Sequence, residues 1–581
     1  MMERFIPGLG RLRRYDGAAF GADIVAGAIL SVLLVPQAMA YAILAGLPPQ
    51  VGLYAALAPP LIYAFLGTSS TVSMGPVALA SLLAADAIAR SDLDPIIAAE
   101  VIAIETGALL LLLGIFRLGR LVNFVSDPAL QGFTAAVAVL IAVSQIPSLL
   151  GIDVPRGATI IESVQAIAPG LSGTHVPTLL LGLGCLILLL LADRFGPALL
   201  WKAGLHPPWR SAAAKSAPLL VLIMASIAAL WLPDVLTVEE PPSKLPPLGM
   251  PPFDPTAWMN LLPSSGIIAI LIFVTGTAVA KSLAGRRRKS IDTSQEAIAI
   301  GAASIAAGMT GGYVPGVSLS RSALVHESGG RTPFASAYAS VIVLLVILFL
   351  GKPLGMLPQA ALAALVISAV FGLVQLRAMQ ASMRHSRAEG MVMLGTLAVT
   401  LFLGVQWGLA AGAGLGIAAH LWVSSLPRIT RLGYQEKARH YRSVDRDEVE
   451  VNSLPVLVLR IDRSLYFGNV GRAEDLLLEL AAENPDAKAL LLDMKGVNDI
   501  DASGMAMLER LVENAKEQDL RVAFAVLKAP LHARFSNSRI LKACCLYEDV
   551  EDAVDALQEA LRRDSKADVD DVLANDRIAD F

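Results

Sequence analysis

Between Gly21 and Ser425 the chain is a succession of apolar segments separated by polar breaks, with apolar cores at residues 109–113, 179–191, 217–232 and 340–350. Several approach the ~20 residues that carry a helix across a bilayer, so roughly ten to fourteen passes fit. The first runs from about Ile24 to Leu47, after the basic residues Arg4, Arg11, Arg13 and Arg14. It has no convincing cleavage site and reads as a retained span.

Two candidates are too short or too broken for plain spans. Gly75-Pro76 opens the segment 77–89, and Pro315-Gly316 precedes the segment 318–325. Broken helices persist at membrane depth only when buried in protein or lining a cavity. One in each half of the apolar region points to an inverted-repeat transporter with its site between half-helices, the alternative being two interfacial loops.

Basic residues in short loops favour the cytoplasm. Arg117 and Arg120, then Arg194, Lys202, Arg210 and Lys215, then Arg286, Arg287, Arg288 and Lys289, then Arg377, Arg384 and Arg387 fall in loops that an even number of crossings returns to the N-terminal side. Both termini are therefore expected inside a plasma (inner) membrane. The loops at 153–175 and 234–254 carry fewer basic residues, the second holding Asp234, Glu239, Glu240 and many prolines, and read as outside.

Past Leu426-Pro427 the pattern changes. A charged connector is expected over 427–454, followed by alternating strands and helices: strands at 456–461, 465–467, 489–493 and 522–527, helices at 472–482 and 504–516. The domains expected are an N-terminal cytoplasmic segment 1–20, a transmembrane domain 21–426, a linker 427–454, a soluble α/β domain 455–563 and a disordered acidic tail 564–581.

Composition agrees with a membrane protein, with 55% hydrophobic residues, 17% charged residues and a mean hydropathy of +0.61 over 581 residues. A net charge of −4 gives no global basic field and no reason to expect nucleic acid as a partner. Cys185, Cys544 and Cys545 have no paired spacing for a disulfide framework or zinc site.

No Gly-x-x-x-x-Gly-Lys-Ser/Thr loop is present to cradle ATP, and no HExxH, Cys/His cluster or Gly-x-Ser-x-Gly elbow supports an enzyme. No cofactor or metal is expected. What remains is secondary transport or a channel, and an anion in a membrane is suited by helix N-termini, whose free N–H groups and dipole attract it without a fully buried charge. The N-terminal ends at Val77-Ala78 and Leu319-Ser320 are the candidates, with hydroxyls from Ser318 and Ser320; capping is the alternative role for either serine. Arg321 lies in an apolar stretch where an unpaired guanidinium is costly, so it is read either as offsetting the substrate's charge or as pairing with Glu327. Gln37 and Tyr41 stand at i and i+4 on one helix face, set either toward the substrate or, for Gln37, on the backbone at the Pro36 kink.

These residues carry a resemblance. The stretch from Pro48-Pro49-Gln50-Val51-Gly52-Leu53-Tyr54 to Gly67-Thr68-Ser69-Ser70, with Pro36-Gln37-Ala38-Met39-Ala40-Tyr41, Gly75-Pro76-Val77-Ala78 and Ser318-Leu319-Ser320-Arg321-Ser322, resembles the SulP (sulfate permease) anion transporters. Val51 stands where an aromatic is usual and Ser70 where a basic residue is usual. The resemblance implies an α-helical fold of seven plus seven inverted-repeat segments, a core domain moving against a gate domain, and a homodimer. It places the substrate between the third and tenth segments, at positions matching Gln37, Tyr41, Val77 and Ser320, with Arg321 beside them. The eighth segment matches Phe273 to Lys281, with Thr275 where many cation-coupled members hold a carboxylate; a hydroxyl neither takes a proton near neutral pH nor neutralises sodium, which suggests anion exchange or uncoupled transport.

The soluble part is similar to a STAS domain through Asp499-Ile500-Asp501-Ala502-Ser503-Gly504. In the related anti-sigma-factor antagonists a phosphorylated serine follows the aspartate. Here that position is Ala502, leaving Asp501, Ala502 and Ser503 as a regulatory segment in which Ser503 is a helix cap or a substitute site. The expected partners are a small inorganic anion (sulfate, bicarbonate or chloride), the bilayer and a cytoplasmic protein on the STAS domain. An uncoupled channel-like conductance and a membrane sensor acting through the STAS domain are the alternatives.

Overall fold

The computed structural model describes residues 6–119, 125–154, 159–202, 204, 213–232, 234–238, 245–286, 290–435, 440–444, 455–536 and 538–576. Of the charges used to orient the chain, Arg4, Arg120, Arg210, Arg287, Arg288, Lys289, Glu239 and Glu240 lie outside the described residues. The chain divides into two compact units, Met1–Ile417 and Ala418–Phe581.

The first unit is helical. Its first half runs α1 (Gly17–Leu44), α2 (Pro49–Leu66), the two-residue strand β1 (Met74–Gly75), α3 (Ala78–Ala89), α4 (Pro95–Ile115), α5 (Asp127–Ser144), α6 (Val176–Lys202) and α7 (Ala217–Ala229). The second half runs α8 (Pro255–Arg286), α9 (Thr293–Met309), the strand β2 (Gly316–Val317), α10 (Leu319–Glu327), α11 (Phe334–Phe349), α12 (Gln359–Phe371), α13 (Arg387–Leu403) and α14 (Val405–Ser425), the last running across the division. Among the described residues, eight helices are long and apolar enough to cross a membrane. The side chain of Asp16 caps α1 by accepting from Ala19 N at 2.7 Å, which starts the first span earlier than Ile24.

The packing repeats between the halves. α1 lies on α11 as α8 lies on α4, α5 on α13 as α12 on α6, and α3 on α8 as α10 on α1. Counting seven elements on from either member of a pair gives the other pair, the signature of an internal repeat. At the centre α4 and α9 approach through Gly107 and Gly301: a Cβ at either would stand 2.6 or 2.7 Å from the other's carbonyl oxygen. Small residues at such crossings let helix backbones come close enough for dispersion to hold them without a hydrophobic effect.

In the second unit a six-stranded sheet has the order β4-β3-β5-β6-β7-β8, built from β3 (Ile429–Gln435), β4 (His440–Ser443), β5 (Val456–Ile461), β6 (Ala489–Asp493), β7 (Arg521–Ala525) and β8 (Cys545–Tyr547). The four strands from β5 onward are parallel, and β3 and β4 are antiparallel. Helices α15 (Val470–Ala482), α16 (Ala502–Glu517), α17 (Ala529–Phe535) and α18 (Val550–Asp576) join and cover them. Strand β6 is buried throughout, as its unbroken Ala-Leu-Leu-Leu run predicts.

Three expectations are corrected. The segment 427–454 is not simply a linker: Ile429–Gln435 pairs with β5 because Leu432, between Arg431 and Gly433, has a buried apolar cluster to join. Residues 465–467 form no strand; Leu465 makes a single parallel bridge to Ile500, the chain turning at once through the Asn469 side chain, which accepts from Tyr466 N at 2.9 Å. The backbone from Asp564 continues α18 to Asp576 instead of dissolving into a tail, since neither Gly nor Pro interrupts that run.

Candidate functional site

The strands β1 and β2 pair antiparallel, Met74 opposite Val317 and Gly75 opposite Gly316. Because α3 and α10 start directly after them, the antiparallel pair sends the two helices apart and brings their N-termini together. This is the geometry that the two interrupted segments predict. Further bonds tie the crossing: Ser318 N donates to the Ser73 carbonyl at 3.2 Å, and Ser73 N donates to Ser322 Oγ at 2.9 Å.

The two helix starts differ. No side chain caps α3 at Val77, so its first-turn N–H groups are open to a ligand. At α10 the Ser318 hydroxyl accepts from Arg321 N at a long 3.3 Å and lies 3.3 Å from Ser320 Oγ. Ser318 therefore takes the capping role while sharing its hydroxyl with Ser320. Leu319 is 50% exposed, so this end is not sealed by protein.

Arg321 is fully buried. Its Nη1 donates to Gln37 Oε1 at 3.3 Å, while Nε and Nη2 have no partner among the described residues. The alternative partner Glu327 makes no contact with it, and the ionisable groups acting on it are the phenols of Tyr41 and Tyr313. Gly75, at φ +146°, passes beside the guanidinium: a Cβ there would meet Nη2 at 3.5 Å. Only glycine holds this backbone conformation without strain.

Gln37, Val77, Ala78, Ser318 and Arg321 thus come together at the crossing, with Tyr41 facing the guanidinium and Leu319 and Ser320 at its open end. The half-buried Thr275 on α8 is placed differently. Its hydroxyl donates to the Leu271 carbonyl at 2.8 Å in its own helix, so its proton is spent. Sequence reasoning missed Tyr313, buried and 2.7 Å from Ser81 Oγ, which in turn donates to the Val77 carbonyl at 2.9 Å. Its position two residues before Pro315-Gly316 is the signal that marks it. Also missed are the buried hydroxyls of Ser73 and Thr277, neither with a partner among the described residues. A cleft of about 380 Å³ at Ser144, Asp153, Thr178 and Gln359 has no cationic lining residue and does not match this chemistry.

In the second unit Asp501, not Ser503, caps α16. Its Oδ1 accepts from Gly504 N at 2.8 Å and its Oδ2 from Phe467 N at 2.8 Å. Burial pushes its carboxyl up, but the N–H bonds from Gly504, Phe467 and Ser503, with Arg534 nearby, outweigh this and hold it below the usual carboxylate range. Ala502 and Ser503 are exposed in the first turn.

Comparison with known proteins adds to this geometry. Residues 20–396 match the model of the sulfate permease family, and residues 448–553 match the STAS domain. The chain is 31% identical over 540 residues to Sulfate transporter 4.1, chloroplastic, of Arabidopsis thaliana, covering 90% of this chain and 77% of that one. It is 29% identical over 591 residues to the sodium-independent sulfate anion transporter of Bos taurus, covering 96% and 92%. The solved structure of the murine Solute Carrier 26 family member A9 anion transporter in the inward-facing state shares its fold, with a TM-score of 0.85 at 21% identity, covering 96% of this chain and 94% of that one.

Proposed function

The chain belongs to the sulfate permease family and carries a STAS domain, and from that premise we propose that it moves a small inorganic anion across a membrane by alternating access. The anion, of the sulfate, bicarbonate or chloride class, sits where α3 and α10 begin. The observation that carries this reading is Arg321: a buried guanidinium with Nε and Nη2 unpartnered among the described residues has donors and charge to give a ligand. The uncapped start of α3 adds N–H groups from the opposite side.

Exchange is the mode this reading favours. Thr275 has no charge and its proton is held within α8, so that position supplies neither a proton carrier nor a sodium ligand of full charge. The protein sits in the plasma membrane as a homodimer with its N-terminus and STAS domain cytoplasmic, and the exposed segment at Ala502 and Ser503 is where a cytoplasmic partner acts.

The test is counterflow in proteoliposomes preloaded with chloride, sulfate or bicarbonate, with and without a proton or sodium gradient. Uptake that requires an internal anion, needs no cation gradient and falls at least about tenfold in Arg321→Ala is expected. Absence of flux for every anion contradicts transport and favours a sensor acting through the STAS domain.

A further inference from the structure

Away from the crossing, one buried carboxylate has neither a cation nor a set of donors around it among the described residues. Glu105, at the middle of α4, is 6% exposed and, among the described residues, accepts one side-chain hydrogen bond, from Ser265 Oγ of α8 at 2.7 Å. Thr106 Oγ1 ties the same turn to α8 by donating to the Ser265 carbonyl at 3.3 Å.

Among the described residues, the elements packed on α4 bring it no counter-charge. α9 meets it through Gly301 and Ile305, and the carboxylate of α9, Glu296, is spent on Tyr63 and Thr68. α8 brings the Ser265 hydroxyl. α3 brings Asp86 at its far end, held by Arg90 at 3.0 Å and Gln406 at 2.8 Å. On α4 itself, Glu100 acts with Asp94, and what acts on Glu105 is burial and Ser265 alone. A carboxylate so placed bears the desolvation cost of its charge, and a proton removes that charge.

A polar path leads to it. Ser264, next to Ser265, lies 3.2 Å from Gln406 Nε2 of α14, and the same nitrogen donates to the Asp86 carboxylate. The Asp86 side chain is 14% exposed and pairs with Arg90, which is 59% exposed. The Gln406 amide thus joins Asp86 of α3 to Ser264 of α8, whose chain neighbour Ser265 holds the buried acid, so polar groups lie on the side of Glu105 toward the surface where α3 ends.

We propose that Glu105 is a proton-binding site reached from the face where α3 ends, and that its protonation raises the rate of anion transport. The inference rests on the transport reading. A proton from water at that face binds a Glu105 oxygen, which neutralises the carboxylate and removes one negative charge from α4. α8, which Glu105 contacts through Ser265, also packs on β2, so a negative charge on Glu105 opposes an anion at the crossing across a poorly screened interior. The neutral acid does not.

The experiment measures labelled-anion uptake into proteoliposomes of the full-length chain while pH is varied on each side in turn, for wild type and Glu105→Gln. Wild-type uptake is expected to rise several-fold as pH falls on the face where α3 ends. The amide of Glu105→Gln keeps an oxygen for Ser265 without charge, so that variant is expected to run near the wild type's acid rate at every pH. A variant that retains the wild-type pH profile, or a wild type indifferent to pH, overturns the proposal. The infrared carbonyl band of a protonated carboxylic acid, followed through a titration of wild type, reads the site without transport. A titrating band that disappears in Glu105→Gln supports the site even if no anion moves, which would count against the transport reading alone; a band unchanged by the substitution overturns the site.

Discussion

Two regions of the membrane unit bury charge in opposite ways. Glu296 and Asp23 are each fully buried, and each is surrounded by donors. Glu296 accepts from Tyr63 Oη at 2.6 Å, Thr68 N at 2.7 Å, Ser69 N at 3.1 Å and the Thr68 hydroxyl, closing the turn after α2 onto α9. Asp23 does the same for the turn before α11, accepting from Arg331 N at 2.6 Å, Thr332 N at 3.1 Å, Tyr15 Oη at 3.0 Å and the Thr332 hydroxyl. Arg321 is equally buried and, among the described residues, has one side-chain bond, at 3.3 Å. A charge that holds the fold together is saturated by the protein; a charge left open has capacity for something the protein does not contain.

The largest effect separates these roles at their root. Glu296→Ala strands the donors of Tyr63, Thr68 and Ser69 and is expected to cost about 3–5 kcal/mol, read as a collapse in the yield and melting temperature of the purified chain. Arg321→Met should do the reverse: transport falls by about 10–100-fold, the loss of one or two charge-assisted hydrogen bonds, while the melting temperature holds or rises because an unpaired buried charge has gone. Equal destabilisation by both substitutions would erase the distinction.

Smaller effects sharpen it. Gly75→Ala places a methyl 3.5 Å from Arg321 Nη2 at a backbone φ of +146°, and the strain of about 1–3 kcal/mol should appear as weaker anion binding measured by the concentration dependence of uptake. Asp501→Ala removes the cap of α16, worth about 1 kcal/mol, and should speed hydrogen exchange at the Gly504 and Met505 amides. Because the Asp501 carboxyl is held low, its stabilisation is full above the unfolded carboxyl's value of about 3.9 and is lost as pH falls through the lower folded value, so acid should speed that exchange in wild type and not in the variant. Thr275→Val should change flux by less than about threefold, since its proton already serves the Leu271 carbonyl.

How much of this is legible in the sequence differs between the regions. The Gly-Pro and Pro-Gly breaks mark the half-helices because a backbone that leaves the helix at membrane depth has few causes. Arg321 stands out for the same reason, as a guanidinium in an apolar run. The partners of Glu296 lie 227–233 residues away along the chain, and the loop partners of Asp23, Arg331 and Thr332, lie 308–309 away with Tyr15 eight residues off, so little in either local sequence announces them. Glu105 is hidden in a plain apolar helix, and only its contact with Ser265, 160 residues away, gives it meaning. In the second unit the buried β6 reads directly, whereas β3 reads as charged connector because its pairing with β5 is a tertiary gain that local polarity outweighs.

The most direct test of the open guanidinium is anion-dependent thermal stabilisation of the purified chain, wild type against Arg321→Met, titrated with sulfate, bicarbonate and chloride. A ligand that binds only the folded state raises the melting temperature, and the rise grows with the ratio of its concentration to its Kd. A rise is expected for wild type with at least one of these anions and none for Arg321→Met, which melts at or above the wild type without anion. An equal rise in both proteins would contradict it.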